Sequence, residues 1–345
     1  MMKNKVMTFG EVMMRLSTPG YLRFNQARSF DVTYAGAECN VAVSLAHFGM
    51  PVDYVTRLPK NELGEACVRF IRETGVGTDK IVWGGDRLGI YLLETGVGPR
   101  GSKVVYDRAG SSIAMLEPGM IKWNEVLADV IWFHWTGITP SLSAGAAAAT
   151  LEAVQTARKM GVTVSCDLNY RAKLWKWGKS ASEVMPDLVA HTDMVVANEE
   201  DADKVFGIKA PDTDVTSGKL EAEKYTFVCE QLAHRFPNVS RIAVTLRGSI
   251  SASHNTWSGM LWDKGKFYTS RQYEIIPIVD RVGGGDSFNG GLIFSFLRGS
   301  DPQTALEFAV AASCLKHTIF GDFNHVSVAE VEKLMGGDVS GRVTR

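Results

Sequence analysis

The sequence has almost no net charge: 37 lysines and arginines stand against 38 aspartates and glutamates, leaving −1 over 345 residues. A chain so balanced has no global field to draw in nucleic acid or an anionic membrane, so any anion site must be local. Cysteine is scarce and unpatterned. Cys39, Cys67, Cys166, Cys229 and Cys314 are odd in number, widely scattered and never spaced C-x-x-C. That argues against a zinc site or disulfide frame, and for reduced thiols in the cytoplasm. No apolar run approaches the roughly 20 residues needed to span a bilayer. The start, MMKNKVMTFGEVMM, lacks the apolar core and cleavage site of a secretory leader. No G-x-x-x-x-G-K-S/T occurs, which excludes a P-loop. Phe9-Gly10-Glu11 does not begin the G-x-G-x-x-G of a dinucleotide-binding turn. The seven histidines show no metal-ligand spacing, and His134 sits in an apolar run as a core residue.

What is present is an ordinary globular composition, 45% apolar and 22% charged, in a chain long enough for a large core. Short β-branched runs alternate with longer helical patterns, the mark of a parallel sheet with crossover helices. Strands are expected at 6–9, 52–56, 130–134, 162–167, 194–197 and 241–246. Helices are expected at 40–48, 62–74, 144–160, 222–236, 287–297 and 302–320. The polar segment 209–219 reads as a surface loop. Two stretches break the alternation: GIYLLETGVGPRGSKVVYDR (89–108) carries a hairpin signal, and 13–34 lacks helical period. Together they predict a small β-sheet lid on a single domain covering 1–345.

The segment VDRVGGGDSFNGG (279–291) places three glycines and Asp286 before a run with helical spacing. A helix start leaves backbone N–H groups unpartnered and partly positive, and glycines allow a bulky anion to come close. Asp286 there is either an N-cap behind a turn or a base acting on something held at the helix mouth.

This segment resembles the D-x-x-G-x-G-D signature of the ribokinase/pfkB family of carbohydrate kinases. TFGEVMMRLSTPG, SFDVTYAGAECNVAVSLAHFG, VTRLPKNELGE, VSCDLNYRAKLW, MVVANEED, AVTLRGS and LKHTIFGD follow the family's order over nearly the whole chain. The resemblance implies a ribokinase-like α/β fold: a doubly wound, mostly parallel sheet flanked by helices, with a β-sheet lid. It implies phosphoryl transfer from magnesium-ATP to a sugar hydroxyl, within the branch acting on the sugar acid 2-keto-3-deoxygluconate. Asp286 would be the base, and Gly283, Gly284 and Gly285 the anion hole. Gly284 stands where the family usually has alanine, which would loosen the turn slightly. The sugar acid would contact Gly36, Asn40, Tyr91, Tyr106, Arg108, Arg171 and Asp322. For Asn40 a role in opening its helix is an equal alternative, for Asp322 a turn, and for the arginines a solvated surface. Arginine forks match carboxylates, so Arg108 and Arg171 would separate an acid from a neutral sugar. The nucleotide would meet Asn169, Asn198 and the TLRGS loop through Thr245, Arg247 and Gly248. Glu200 or Asp201 of the NEED segment would organise magnesium, through water if at all. A monovalent cation requirement stays open, and a homo-oligomer through the lid is expected. Two rivals stand beside this reading: a fructokinase or other hexose kinase, and a non-catalytic sugar-binding regulator on the same scaffold.

Overall fold

The computed structural model describes residues 4–198, 200–209 and 222–338. In chain order the strands are β1 (Lys5–Phe9), β2 (Met13–Ser17), β3 (Asp31–Ala35), β4 (Val52–Val55), β5 (Arg57–Leu58), β6 (Val82–Trp83), β7 (Gly89–Glu94) and β8 (Lys103–Asp107). There follow β9 (Val130–Thr136), β10 (Thr163–Asp167), β11 (Met194–Ala197), β12 (Arg241–Ser251), β13 (His254–Asp263), β14 (Lys266–Thr269) and β15 (Tyr273–Ile275). The helices are α1 (Ala37–His47), α2 (Glu62–Arg72), α3 (Trp123–Val126), α4 (Ala144–Lys159), α5 (Ala181–Val189), α6 (Asp201–Phe206), α7 (Ala222–Arg235), α8 (Gly284–Leu297), α9 (Pro302–Lys316) and α10 (Val328–Met335).

The main sheet runs β14-β13-β12-β11-β10-β9-β1-β4, with β15 on β13. From β4 to β12 every neighbour is parallel, and β13 to β15 add an antiparallel edge. Alternation along β1 sends Val6 to one core, with α1, α8 and α9, and Met7 and Phe9 to the other, with α4, α5 and α7. Helix starts follow local chemistry. Asn61 and Ser143 cap α2 and α4, Asp301 caps α9 ahead of Pro302, and Ser327 with Glu330 closes a capping box on α10. Helix α8 is apolar and buried around nearly its whole circumference. Its Gly290 and Gly291 lie against Ser44 of α1 and Ala309 of α9, where a Cβ would clash.

The chain leaves β1 toward β4 and later lays β9 on β1's other side, so their carboxyl ends form the switch point of the sheet. Over that end stands a second sheet, β3-β2-β7-β8, which is the expected lid. Three expectations change. The helix thought to begin at Asn40 begins at Ala37, because Gly36 in extended conformation is its N-cap, so Asn40 lies inside α1 rather than opening it. The helix expected to reach 320 ends at Lys316, where turns take over. TLRGS is not a loop: β12 continues to Ser251 because β13 pairs with it throughout. Segment 209–219, beyond Lys209, lies outside the described residues. Among the described residues no helix is long and apolar enough to cross a membrane.

Candidate active site

A cleft of about 290 Å³ opens between the carboxyl ends of the parallel strands and the lid. Its floor is the start of α8. Gly283 is the N-cap at φ 85°, in the left-handed region that favours glycine, and a Cβ there would also run into the Asp322 carbonyl. The space beside Gly284 is filled by His317, whose Cε1 lies 2.6 Å from where a Cβ would be. Burial pulls His317 down to about 4, so it is neutral and donates from Nδ1 to the Ser313 carbonyl (2.7 Å). Ser313 in turn donates to the Gly284 carbonyl (2.7 Å). The turn is therefore braced, not loosened, by glycine at this position. A Cβ on Gly285 would meet nothing within 4 Å, so the cradle faces open space.

Asp286, in the first turn of α8, accepts from Nδ2 of Asn40 (2.6 Å). Gly36, Asn40, Tyr91, Tyr106, Arg108, Arg171 and Asp322 all line the same cleft. Their circumstances differ. Arg108 is buried and clamped by Glu11, which takes bonds from its Nε (2.7 Å) and Nη2, while Ser111 holds the other Glu11 oxygen (2.6 Å). The Tyr106 ring lies under that guanidinium at 5.3 Å. Arg171 is exposed, and its hydrogen bond goes to the neighbouring Tyr170 carbonyl. Asp322 accepts from the Tyr91 hydroxyl (2.8 and 2.7 Å) and from Arg15 of the lid strand β2. Arg15 also reaches Asp280. Burial works against the Arg15 charge, but Asp322 and Asp280 hold it above its ordinary range.

At the other end, Asn169, Asn198, Thr245 and Arg247 line the cleft, and Gly248 does not, since it is one step further along β12. Neither Glu200 nor Asp201 is on the wall. Glu200 is exposed before α6, and buried Asp201 accepts from the backbone N–H groups of Tyr170 (3.0 Å) and Asn198 (2.9 Å). That carboxylate clamps the loops after β10 and β11 together. The acid that does face the cleft is Asp167, held by the Asn289 amide (2.8 Å). Burial pushes Asp167 well above its ordinary range, with Asp201 and Asp286 adding repulsion. Sequence reasoning passed over Asp167, Glu11, Asn289 and Arg281, all of which line the cleft. The signal for two of them was position: Glu11 and Asp167 stand at or just past the carboxyl ends of parallel strands.

The model of the family described as "pfkB family carbohydrate kinase" matches residues 3–324. The chain belongs to this family. A 2-dehydro-3-deoxygalactonokinase of Haloferax volcanii is 33% identical over 339 residues, 98% of each chain. A 2-dehydro-3-deoxygluconokinase of Thermoproteus tenax is 25% identical, over 96% of this chain and 94% of the relative. Among solved structures, a 2-dehydro-3-deoxygluconokinase of Thermotoga maritima superposes with a TM-score of 0.91 at 47% identity, covering 97% of this chain and 100% of its own. The ribokinase-like architecture, a mostly parallel sheet with a separate small sheet, is thus that of the pfkB kinases.

In this pfkB chain Asp286, like Asp167, is shifted by its surroundings. Burial raises its carboxyl to about 6, Asp322 adds to the rise, and the Asn40 amide, Arg171 and Lys316 oppose it. The group is protonated below about pH 6 and a carboxylate above it, so at neutral pH it is ionised. Carbon-13 NMR of the side-chain carboxyl should show titration near pH 6. In Asn40→Ala the bond that favours the anion is gone, and the midpoint should move to higher pH.

Proposed function

We propose that the chain is an ATP-dependent sugar-acid kinase that converts 2-keto-3-deoxygluconate, called 2-dehydro-3-deoxygluconate in its relatives' names, to the 6-phosphate. The observation that carries this reading is the meeting, in one cleft, of the Asp286–Asn40 pair at the mouth of α8 with the arginines Arg108 and Arg171. Asp286 takes the proton of the acceptor hydroxyl as the oxygen attacks the γ-phosphorus of ATP and the bond to the bridging oxygen breaks, with ADP leaving. The N–H groups of Gly283 and Gly285 face the charge that gathers on the phosphoryl oxygens, while that of Gly284, counted in the expected anion hole, donates to the Arg281 carbonyl (3.3 Å). Arg171 and the remaining Nη1 of Arg108 meet the carboxylate of the acid, and Tyr91, Tyr106, Gly36 and Asp322 surround its hydroxyls.

For the nucleotide, the open cradle at Gly285 and the cations Arg247 and Arg281 fit a polyphosphate, with Thr245, Asn169 and Asn198 beside them. For magnesium, the oxygen donors on the wall fit a hard cation: Asp167, whose buried charge gains from one, with the Asn169 and Asn198 amides on the same wall, the Asn198 oxygen also accepting from the Glu200 and Asp201 N–H groups. Magnesium bound there would neutralise phosphate charge. Glu200 would reach it only through water, and Asp201 would act on it from behind, through the loops it clamps.

The exposed apolar residues of the lid support self-association. Val32, Leu16, Leu92 and Val105 form one row across its outer face, with Val32 and Val105 each 52% exposed. The proposal includes a homo-oligomer through that face, and five free cysteines, four of them buried, fit a cytoplasmic setting.

The first experiment is ADP formation with 2-keto-3-deoxygluconate, its galactonate epimer, fructose and ribose. The epimer is included because the Haloferax volcanii relative is named for it. Turnover of the acids is expected; fructose or ribose as best acceptor would remove the acid from the reading, and no turnover would remove the kinase. Asp286→Asn keeps the shape without the base and should lower kcat about 100-fold to 10,000-fold with binding near normal. Arg171→Ala should raise KM for the acid about tenfold or more, through loss of a charge-assisted bond, and change a neutral sugar little. Val105→Asp should shift sedimentation toward monomer; an unchanged species would place the interface elsewhere.

A further inference from the structure

Lys316 is completely buried in the last turn of α9, directly beneath the mouth of α8. A buried ammonium is ordinarily matched by a carboxylate. Here Nζ instead donates to two backbone carbonyls, those of Asp280 (3.0 Å) and Ile319 (3.3 Å). These carbonyls belong to the two segments that build the site. Asp280 leads into the glycine turn, and its Oδ1 accepts from Val282 N–H (3.1 Å). Ile319 leads to Asp322, and the intervening Gly321 donates to Oδ2 of Asp280 (3.2 Å).

Neutral carbonyls from neighbouring loops are the ligand set that proteins offer to a dehydrated monovalent cation. In this chain a side-chain cation stands in that cage. Burial lowers the Lys316 pKa, while Asp280, Asp322 and Asp286 sustain its charge. The same charge opposes the rise of the Asp286 carboxyl.

We propose that Lys316 is a positioning residue that replaces a monovalent cation. Its ammonium holds the glycine turn and the Asp322 segment in register and supplies fixed positive charge behind the anion hole, so phosphoryl transfer proceeds without added potassium. The rate consequence rests on the kinase reading; the structural one does not.

The test compares the full-length protein with Lys316→Met in potassium chloride and in choline chloride at equal ionic strength, reading turnover and thermal midpoint. The unsubstituted protein should keep its rate within about twofold and its midpoint within about 1 °C, because potassium finds no vacant cage to stabilise. Lys316→Met should lose about tenfold or more in kcat in choline, by loss of fixed charge near the developing phosphoryl charge. Potassium or ammonium should then restore part of that rate and raise the variant's midpoint. Tenfold potassium activation of the unsubstituted protein would overturn the proposal. So would a variant with full activity in choline, or one neither rescued nor stabilised by any small cation. Should Lys316→Met not fold, the unsubstituted protein still decides. If neither salt supports turnover, the kinase reading falls, and the midpoints alone judge Lys316.

Discussion

Four buried carboxylates, Asp167, Asp280, Asp286 and Asp322, surround the mouth of α8, and their charge has to be answered with little help from water. Breaking one partner out of a buried ion pair costs about 3–5 kcal/mol, so the cations that serve this cluster bind the fold together as well as the site. Arg15 is the clearest case. It lies on a lid strand yet ends on Asp280 and Asp322, 265 and 307 residues away in sequence. The lid is therefore fastened at β2 to the segments that shape the mouth of α8. At the far edge β8 is exposed along its whole length. Any motion that admits and encloses a substrate has most freedom at that edge.

The same constraint explains why α8 is so apolar below its first turn. A cradle of N–H groups stabilises phosphoryl charge only if it does not have to reorganise. Helix α8 is held by α1 and α9 through glycine contacts at Gly290 and Gly291, and its first residues by Ser313 and His317. Packing on all sides thus turns a flexible-looking glycine sequence into a rigid one.

How much could be read beforehand follows from the range of the interactions. The alternation of strand and helix, the hairpin at 89–108 and the glycine turn are local patterns, and each was legible. The extension of β12 was not, because Arg247 and Gly248 are strand residues only by virtue of pairing with Trp257 and Thr256. Asp201 looked like a metal carboxylate from its place in NEED, yet its direction is set by the amide of Tyr170, 31 residues earlier. His317 could not be connected with Gly284 by any spacing rule. Arg15 and Lys316 carry no local signal of burial, and only long-range folding buries them.

The cleft arginines Arg108 and Arg171 show why identity of residue type is not identity of role. Arg108 is buried, stacked on Tyr106 and neutralised by Glu11, itself anchored by Ser111. Its Nε and Nη2 are engaged with Glu11, so an incoming carboxylate would meet Nη1 of a guanidinium whose charge is already balanced. Arg171 is exposed, donates to the Tyr170 carbonyl, and interacts only through space with the carboxylates Asp167 and Asp286. On the proposed reading, a carboxylate arriving between them would gain most of its charge stabilisation from Arg171 and most of its orientation from Arg108, because a fixed donor selects geometry while a cation without a direct ion pair supplies attraction.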